Sequence, residues 1–180
     1  MNNNFTTLLL SLVNASSFNY TYYRYIYRAI SNITTLTFAF RQDPSFWCLD
    51  DISVIQYNTS NIRNTSNLIG NGDFEKGALV NYSLCTPSDR NPTGSVYSGC
   101  AHAGNYSYYD GSYAPGDYLS QTFATIPQQQ YQISFWLQNM GSAPNFINVT
   151  VIANVMSSQS TTTQQPRISS EKTFWKAFFN

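Results

Sequence analysis

Apolar and polar residues alternate along much of this chain, with the period of two that is typical of half-buried β-strands. Residues 34–40 are the clearest case, because Leu36, Phe38 and Phe40 share one face and smaller residues share the other. Similar patterns, several of them rich in tyrosine, predict further strands over residues 19–30, 46–57, 105–109, 118–123, 130–139 and 146–156. No segment has the period of an amphipathic helix. The sequence therefore predicts an all-β fold, a β-sandwich of short strands.

The apolar run at residues 6–13 (TTLLLSLV) has two interpretations. With the small-residue segment Val13-Asn14-Ala15 at its end, it is similar to the apolar core and cleavage site of a short signal peptide. The run is short, however, and no Lys or Arg precedes it. We therefore favour a β-strand here and keep the signal peptide as the alternative.

Composition narrows the classes of function. Charged residues are 10% and aromatic residues 16% of the 180 residues, with 14 Tyr and 12 Phe. Coiled coils and charged tails are excluded, because both need far more charge. The net charge is zero, so we expect no nucleic-acid partner. No run approaches the roughly 18 apolar residues of a membrane helix, so we expect no membrane insertion.

Asn-x-Ser/Thr sequons are dense in this sequence. A chain rich in Asn, Ser and Thr produces some of them by chance, but attached sugar would also offset the low charge of the surface. We therefore predict an extracellular, secreted glycoprotein. The predicted glycosylation sites are Asn19, Asn32, Asn58, Asn64, Asn81, Asn105 and Asn148, and Asn4 and Asn14 also lie in sequons.

The three cysteines allow one disulfide. Cys85 and Cys100 flank a polar stretch rich in Gly, Pro and Ser, which has the composition of a loop. A bridge between them would stabilise the fold by about 3 kcal/mol in the chain-entropy model. We predict this pair, which leaves Cys48 as a small buried apolar residue. No Cys or His spacing is typical of a zinc or redox site.

Three parts of the chain together resemble the galactose-binding-like jelly rolls, the fold of many carbohydrate-binding modules of secreted proteins. Residues 67–75 (NLIGNGDFE) are similar to the opening motif of these domains, and residues 46–54 (FWCLDDISV) to their closing strand. Residues 118–123 and 131–137 are similar to their central hairpin. The resemblance implies a jelly-roll β-sandwich and a parent protein that carries such repeats in tandem.

The order of these parts is unusual, because the closing strand precedes the opening motif. We interpret residues 1–57 as the C-terminal strands of one repeat, 58–66 as a linker, 67–156 as the N-terminal and central strands of the next repeat, and 157–180 as a polar tail with a truncated strand. A sandwich that lacks core strands exposes unpaired edges. We therefore expect residues 1–57 to complete residues 67–156 as one circularly permuted jelly roll, rather than two unfinished halves.

This arrangement would bring together four of the nine acidic residues, namely Asp50, Asp51, Asp73 and Glu75. Calcium takes six to eight oxygen ligands, chiefly carboxylates and carbonyls. The resemblance implies a structural Ca²⁺ held by Glu75 and Asp50, with Asp73 and Asp51 beside it. The alternative is that these acids cap turns or pair with nearby basic residues.

Catalysis is not expected. A glycosidase needs two carboxyl groups that flank a sugar cleft, and these acids would lie at an edge of the sandwich. A Ser-His-Asp site would depend on His102, which stands in a loop without the sharp turn that exposes a nucleophilic serine. We interpret His102 as a structural or surface residue and the protein as non-enzymatic.

A candidate glycan-binding strip lies on the strand predicted at residues 130–139. If the apolar side chains of this strand face the core, Gln132, Trp136 and Gln138 share the opposite face. Aromatic rings stack on sugar faces and amides bind hydroxyls, so these residues are candidate ligands. Further candidates are Tyr108, Tyr109 and Tyr113. The alternative is that Trp136 packs under a loop.

The sequence thus predicts a non-catalytic extracellular carbohydrate-binding-like module with a structural calcium site, whose partners are glycans or glycoproteins. The alternative is a structural or adhesive repeat of a large secreted or cell-surface protein, without a glycan groove. An exposed Trp136 in a concave sheet favours the first function, and a buried Trp136 under a flat sheet favours the second.

Overall fold

Ten β-strands make up the regular structure of this chain. The computed structural model describes residues 2–43, 45–57, 66–87, 91–113 and 116–156. The strands are β1 (Asn2–Val13), β2 (Phe18–Arg28), β3 (Ile33–Gln42), β4 (Trp47–Gln56), β5 (Ser83–Cys85), β6 (Ser95–Tyr97), β7 (Ser107–Asp110), β8 (Asp117–Ala124), β9 (Gln130–Asn139) and β10 (Asn145–Met156). No helix able to span a membrane occurs within these described ranges. The all-β prediction is confirmed.

The strands form two antiparallel five-stranded sheets that pack face to face as a β-sandwich. Sheet one has the order β1-β10-β3-β8-β5, and sheet two has the order β2-β9-β4-β7-β6. Strands from residues 2–56 and from residues 83–156 are interleaved in both sheets, because β3 lies between β10 and β8, and β4 lies between β9 and β7. Each sheet therefore depends on pairing between the two parts of the chain.

The core lies between the sheets and comes from the alternation seen in the sequence. On β9, Ile133, Phe135 and Leu137 are fully buried, and on β3 so are Phe38 and its neighbours on that face. The Phe135 and Phe38 rings meet edge to face across the two sheets, with centroids 5.1 Å apart. Burial of one such side chain stabilises the fold by about 1.5–3 kcal/mol.

Most strands lie where the alternation predicts them, and two do not. Residues 2–13 form β1, the interpretation favoured above. β6 lies in the polar stretch between Cys85 and Cys100 that the sequence indicates as a loop, and β5 ends at Cys85, just before that stretch, where no strand is predicted. A strand of three residues is too short to show a periodic pattern, and the polar residues around both strands are typical of turns.

The turn segment at residues 67–72 runs along β4. Ile52 donates a backbone hydrogen bond to Gly72 O, and Leu68 donates one to Val54 O, both at 2.8 Å. A Cβ at Gly72 would overlap the Ile52 carbonyl oxygen, so glycine is required for this close approach. The backbone of residues 67–72 is thus fixed against the bulged part of β4.

Truncation of Phe135 tests the assignment of the core. Phe135→Ala should lower the free energy of unfolding by about 3–5 kcal/mol, because it leaves a cavity against Phe38, Tyr23 and Tyr25. Phe5→Ala is the matched control, since Phe5 is 52% exposed on β1 and should change stability by no more than about 0.5 kcal/mol. Urea unfolding measures both, and equal losses would contradict the assigned core.

Candidate functional site

A loop covers part of the outer face of sheet two. It comprises residues 98–106, which connect β6 to β7, and is called the 98–106 loop below. Cys100 of this loop is joined to Cys48 of β4 by a disulfide, and the Tyr20 hydroxyl of β2 donates a 2.6 Å hydrogen bond to Cys100 O. The loop is thus attached to two strands of the sheet beneath it.

The disulfide Cys48–Cys100 corrects the predicted pair Cys85–Cys100, which is wrong. Cys85 is a free, exposed cysteine on β5 of sheet one, whereas the 98–106 loop lies on sheet two. Nearness in sequence favoured the wrong partner. The sheet topology instead places Cys48, 52 residues away, at a Cα–Cα distance of 6.3 Å from Cys100.

Asp50 holds the centre of the loop from below. Its carboxylate is fully buried, and Oδ2 accepts backbone hydrogen bonds from His102 at 2.8 Å and Ala103 at 3.3 Å. Oδ1 accepts the backbone N–H of Asp51 at 2.8 Å. Burial raises the pKa of Asp50 to about 6, with a smaller contribution from the neighbouring Asp51 charge, while the N–H donors act in the opposite direction.

Asp51 owes its position to a β-bulge. The register between β4 and β9 shifts between Asp50 and Ser53, and Asp51 has a φ of 51°, a conformation that non-glycine residues rarely adopt. The bulge turns this second carboxylate toward the loop, where its Oδ2 lies 2.8 Å from Nδ1 of His102. Consecutive aspartates therefore bind the backbone and the side chain of the same histidine.

Glu75 holds the far end of the loop. Its Oε1 accepts backbone hydrogen bonds from Asn105 at 2.7 Å and Tyr106 at 2.8 Å, and its Oε2 accepts the Asn105 side-chain amide at 3.2 Å. The backbone hydrogen bonds from Tyr106 and Asn105 lower the pKa of Glu75. Asp50 and Glu75, which are 25 positions apart in the sequence, thus both bind the backbone of the 98–106 loop.

The four acids predicted to bind calcium do not form one ligand set. The oxygens of Asp50 and Glu75 face N–H donors, which repel a cation. Asp51 and Asp73 line a polar cavity of about 330 Å³, and neither Asp50 nor Glu75 lines this cavity. Within the described ranges, no three His, Cys, Asp or Glu side chains are grouped to hold a metal. These residues therefore do not fit a shared site as they stand, and calcium binding stays a prediction.

Trp136 lies on the outer face of sheet two, half-buried, as the alternation of β9 predicts. Gln132 and Gln138 share this face and are partly exposed. The Trp136 ring is stacked with the His102 ring, with centroids 3.9 Å apart and an interplanar angle of 18°. Tyr22, its cross-strand neighbour on β2, lies 5.3 Å away. Trp136 is therefore partly covered by the 98–106 loop and partly open.

Tyr22 and His102 are the site residues that the sequence did not identify. Alternation places Tyr22 on one face of β2, but nothing in the sequence states that β2 pairs with β9. His102 belongs to the 98–106 loop, which places the histidine ring against Trp136. The feature of the sequence that points to His102 is its position among Gly99, Cys100 and Gly104, which indicates a structured loop.

The three tyrosines predicted as further ligands lie in three different places. Tyr108 is fully buried in the core and donates a hydrogen bond to Asp110, so the prediction that it contacts a glycan is wrong. Tyr109 belongs to a separate aromatic cluster with Phe46 and Tyr97, at 4.6 and 5.4 Å between centroids. Tyr113 is 56% exposed between β7 and β8. None of them joins the Trp136 strip.

The sequons fall mainly on the surface. Asn19, Asn32, Asn81 and Asn105 are exposed, and Asn148 is partly exposed on β10. Asn58 and Asn64 lie outside the described residues. The exposed side chains of Asn19, Asn32 and Asn81 are accessible for glycosylation, whereas the Asn105 amide is hydrogen bonded to Glu75. Glycosylation stays a prediction at every site.

No protein-family model matches this chain, and no curated protein or solved structure matches it either. The antiparallel two-sheet sandwich is compatible with a jelly roll. Function is therefore inferred below from the residues and their geometry.

Removal of the disulfide should weaken the fold selectively. Cys100→Ser should lower the free energy of unfolding by about 4 kcal/mol in the chain-entropy model, because the bridge spans 52 residues. Cys85→Ser is the matched control and should leave stability unchanged, since Cys85 is free and exposed. Urea unfolding without reductant measures both. Equal destabilisation by Cys85→Ser and Cys100→Ser would contradict the Cys48–Cys100 bridge and favour the pair predicted from the sequence.

Asp50 and Glu75 should give opposite pH dependences. The folded state binds the Asp50 proton more tightly than the unfolded state, so the stability contributed by Asp50 falls as the pH rises from about 4 to about 6. The free energy of unfolding of wild type minus that of Asp50→Asn should therefore decrease across this window. The matched difference for Glu75→Gln should increase as the pH rises through the ordinary Glu pKa of 4.5. Urea unfolding from pH 3.5 to 7 measures both slopes, and slopes of equal sign would contradict these assignments.

Proposed function

We propose that this chain is a non-catalytic, extracellular carbohydrate-binding-like module. The observation that carries this proposal is the outer face of β9, where the half-buried Trp136 lies between Gln132 and Gln138 and beside the exposed Tyr22. Aromatic rings offer a flat surface to the C–H face of a sugar, and side-chain amides both donate to and accept from its hydroxyls.

The open part of this strip suits a neutral glycan. Tyr22 is 47% exposed, and its ring is inclined by 47° to that of Trp136. Two inclined rings form a shallow trough rather than a deep pocket, which fits a chain of sugars lying across the sheet. The net charge of zero is consistent with an uncharged ligand.

An extracellular location is supported by two features of the chain. The Cys48–Cys100 disulfide belongs to an oxidising environment. Exposed sequons such as Asn19, Asn32 and Asn81 are available for glycosylation. The galactose-binding-like motifs at residues 46–54 and 67–75 support the same class, as one permuted jelly roll from a repeat protein.

A second candidate function is a structural or adhesive repeat without a glycan groove. It is favoured by the 98–106 loop, which is fixed over the strip by a disulfide, by Asp50 and by Glu75. The His102 ring already occupies one face of Trp136 at 3.9 Å. In a rigid spacer, the contacts of the 98–106 loop would serve only to cover the outer face of sheet two.

Retention on immobilised polysaccharides distinguishes the two functions. We expect the glycosylated protein to be retained by at least one of xylan, β-glucan, galactan and chitin, and Trp136→Ala to weaken that retention by at least tenfold, because the aromatic surface is lost. Tyr22→Ala should weaken it in the same direction. Affinity electrophoresis in gels containing each polymer measures the effect.

Tyr97→Ala is the matched control, since Tyr97 is 48% exposed on the same sheet but belongs to the other aromatic cluster. It should leave retention unchanged. No retention of a folded wild-type protein on any polymer would contradict the glycan-binding proposal and favour the structural repeat.

A further inference from the structure

The outermost strands of the two sheets differ in length. Sheet one ends in β1 and β5, and sheet two ends in β2 and β6. A strand at a sheet edge carries unpaired N–H and C=O groups, which can form hydrogen bonds with another extended chain. β5 and β6 have three residues each and offer almost no edge. Among the described strands, the long edges are therefore β1 and β2, of 12 and 11 residues.

The β2 edge is protected by charge. Arg24 and Arg28 are both exposed on this strand. Charged side chains on an edge strand oppose the addition of a further strand, and like charges directly opposite each other are destabilising. The β2 edge is therefore a poor partner for another strand, and above all for a second copy of itself.

The β1 edge has no such protection. Residues 2–13 contain no Lys, Arg, Asp, Glu or Pro. Within the part of the chain that the structure describes, β1 pairs with β10 on one side and with no strand on the other. The register with β10 shifts between Leu8 and Leu10, so the regular part of this edge is residues 2–8.

Apolar side chains are exposed along this uncharged edge. Phe5 is 52% exposed and Leu8 is 58% exposed, and the two threonines between them are exposed as well. The cross-strand partners of Phe5 and Leu8 on β10 are the small residues Ala153 and Thr150, which leave both side chains largely open. A further strand would cover them and pair the backbone groups at the same time. Extended backbone is therefore the chemistry that fits the β1 edge.

We propose that residues 2–8 pair antiparallel with the same residues of a second copy of this chain, so that sheet one of each copy continues into the other. Two copies approach without charge repulsion, because the strand is uncharged and the net charge of the chain is zero. Antiparallel pairing of identical strands has two-fold symmetry, so one contact gives the exposed apolar side chains of both copies new neighbours.

The contact closes on itself. Each copy offers one long unprotected edge among its described strands, and pairing uses that edge in both copies. A dimer is therefore expected, not a fibre. This contact lies on sheet one, whereas Trp136 lies on sheet two, so the proposal does not rest on glycan binding.

Sedimentation equilibrium of the unglycosylated full chain tests the pairing, because Asn4 lies in a sequon of β1 and a sugar there would add bulk beside the edge. Cys85→Ser is present in every sample, so that the exposed thiol cannot cross-link two copies. We expect a monomer–dimer equilibrium over a hundredfold range of concentration. Leu8→Lys should raise the dimer dissociation constant at least tenfold, because the contact would then contain two like charges.

Ile26→Lys is the matched control, since Ile26 is 45% exposed on the other long edge strand, β2. It should leave the dimer dissociation constant unchanged. Thr6→Lys, also at an exposed position within residues 2–8, replaces Leu8→Lys if that variant fails to fold. Hydrogen exchange locates the contact, because the amides of residues 2–8 should exchange more slowly at high protein concentration than at low, and those of β2 should not change.

A folded protein that stays monomeric at every concentration overturns the proposal. If its residues 2–8 are nevertheless slow to exchange, another part of the same chain covers the edge. Dimers that survive the lysine variant of β1, dimers that are lost in Ile26→Lys, and growth into assemblies larger than a dimer also overturn it.

Discussion

The pairing of β3 and β4 with strands from the other part of the chain is the constraint on which the structure depends. Both strands lie at the centre of their sheets, so each supplies hydrogen bonds on two edges and core side chains on one face. Such contacts are far apart in sequence and must overcome a large loss of chain entropy, which only a shared hydrophobic core offsets. Both parts of the chain therefore contribute strands to the same two sheets.

The same pairing organises the outer face of sheet two. The bulge in β4, where this strand pairs with β9, places the Asp50 and Asp51 carboxylates against the 98–106 loop. Cys48, two residues before Asp50, forms the disulfide to Cys100 of that loop. A short loop with few apolar residues has little burial to hold it in place. The carboxylate acceptors and the disulfide hold the loop in place instead, and in this position the His102 ring stacks on the Trp136 ring.

Four acidic side chains among the described residues serve as acceptors for backbone N–H groups rather than as partners of cations. Asp50 and Glu75 bind the 98–106 loop, and Asp110 and Asp117 bind the segments that cross between the sheets. Among the described residues, the ion pairs are Arg41–Asp43 and His102–Asp51.

The sequence by itself determined the all-β class, the position of most strands and the side of each strand that faces the core. These follow from the period of two, which is a local property: on β9 the alternation places Phe135 in the core and Trp136 on the outer face. Ser134, on the same face as Trp136, is nevertheless buried. Even here, the three-residue strands β5 and β6 carried no detectable period.

Only the tertiary structure decided which residues meet. The partner of Cys100, the contact between Tyr22 and Trp136, and the burial of Tyr108 all depend on strand order and on the path of loops between sheets. Alternation states that a side chain points in or out, but it does not state which strand lies beside it. That order is fixed by the summed packing of the whole core, to which every strand contributes.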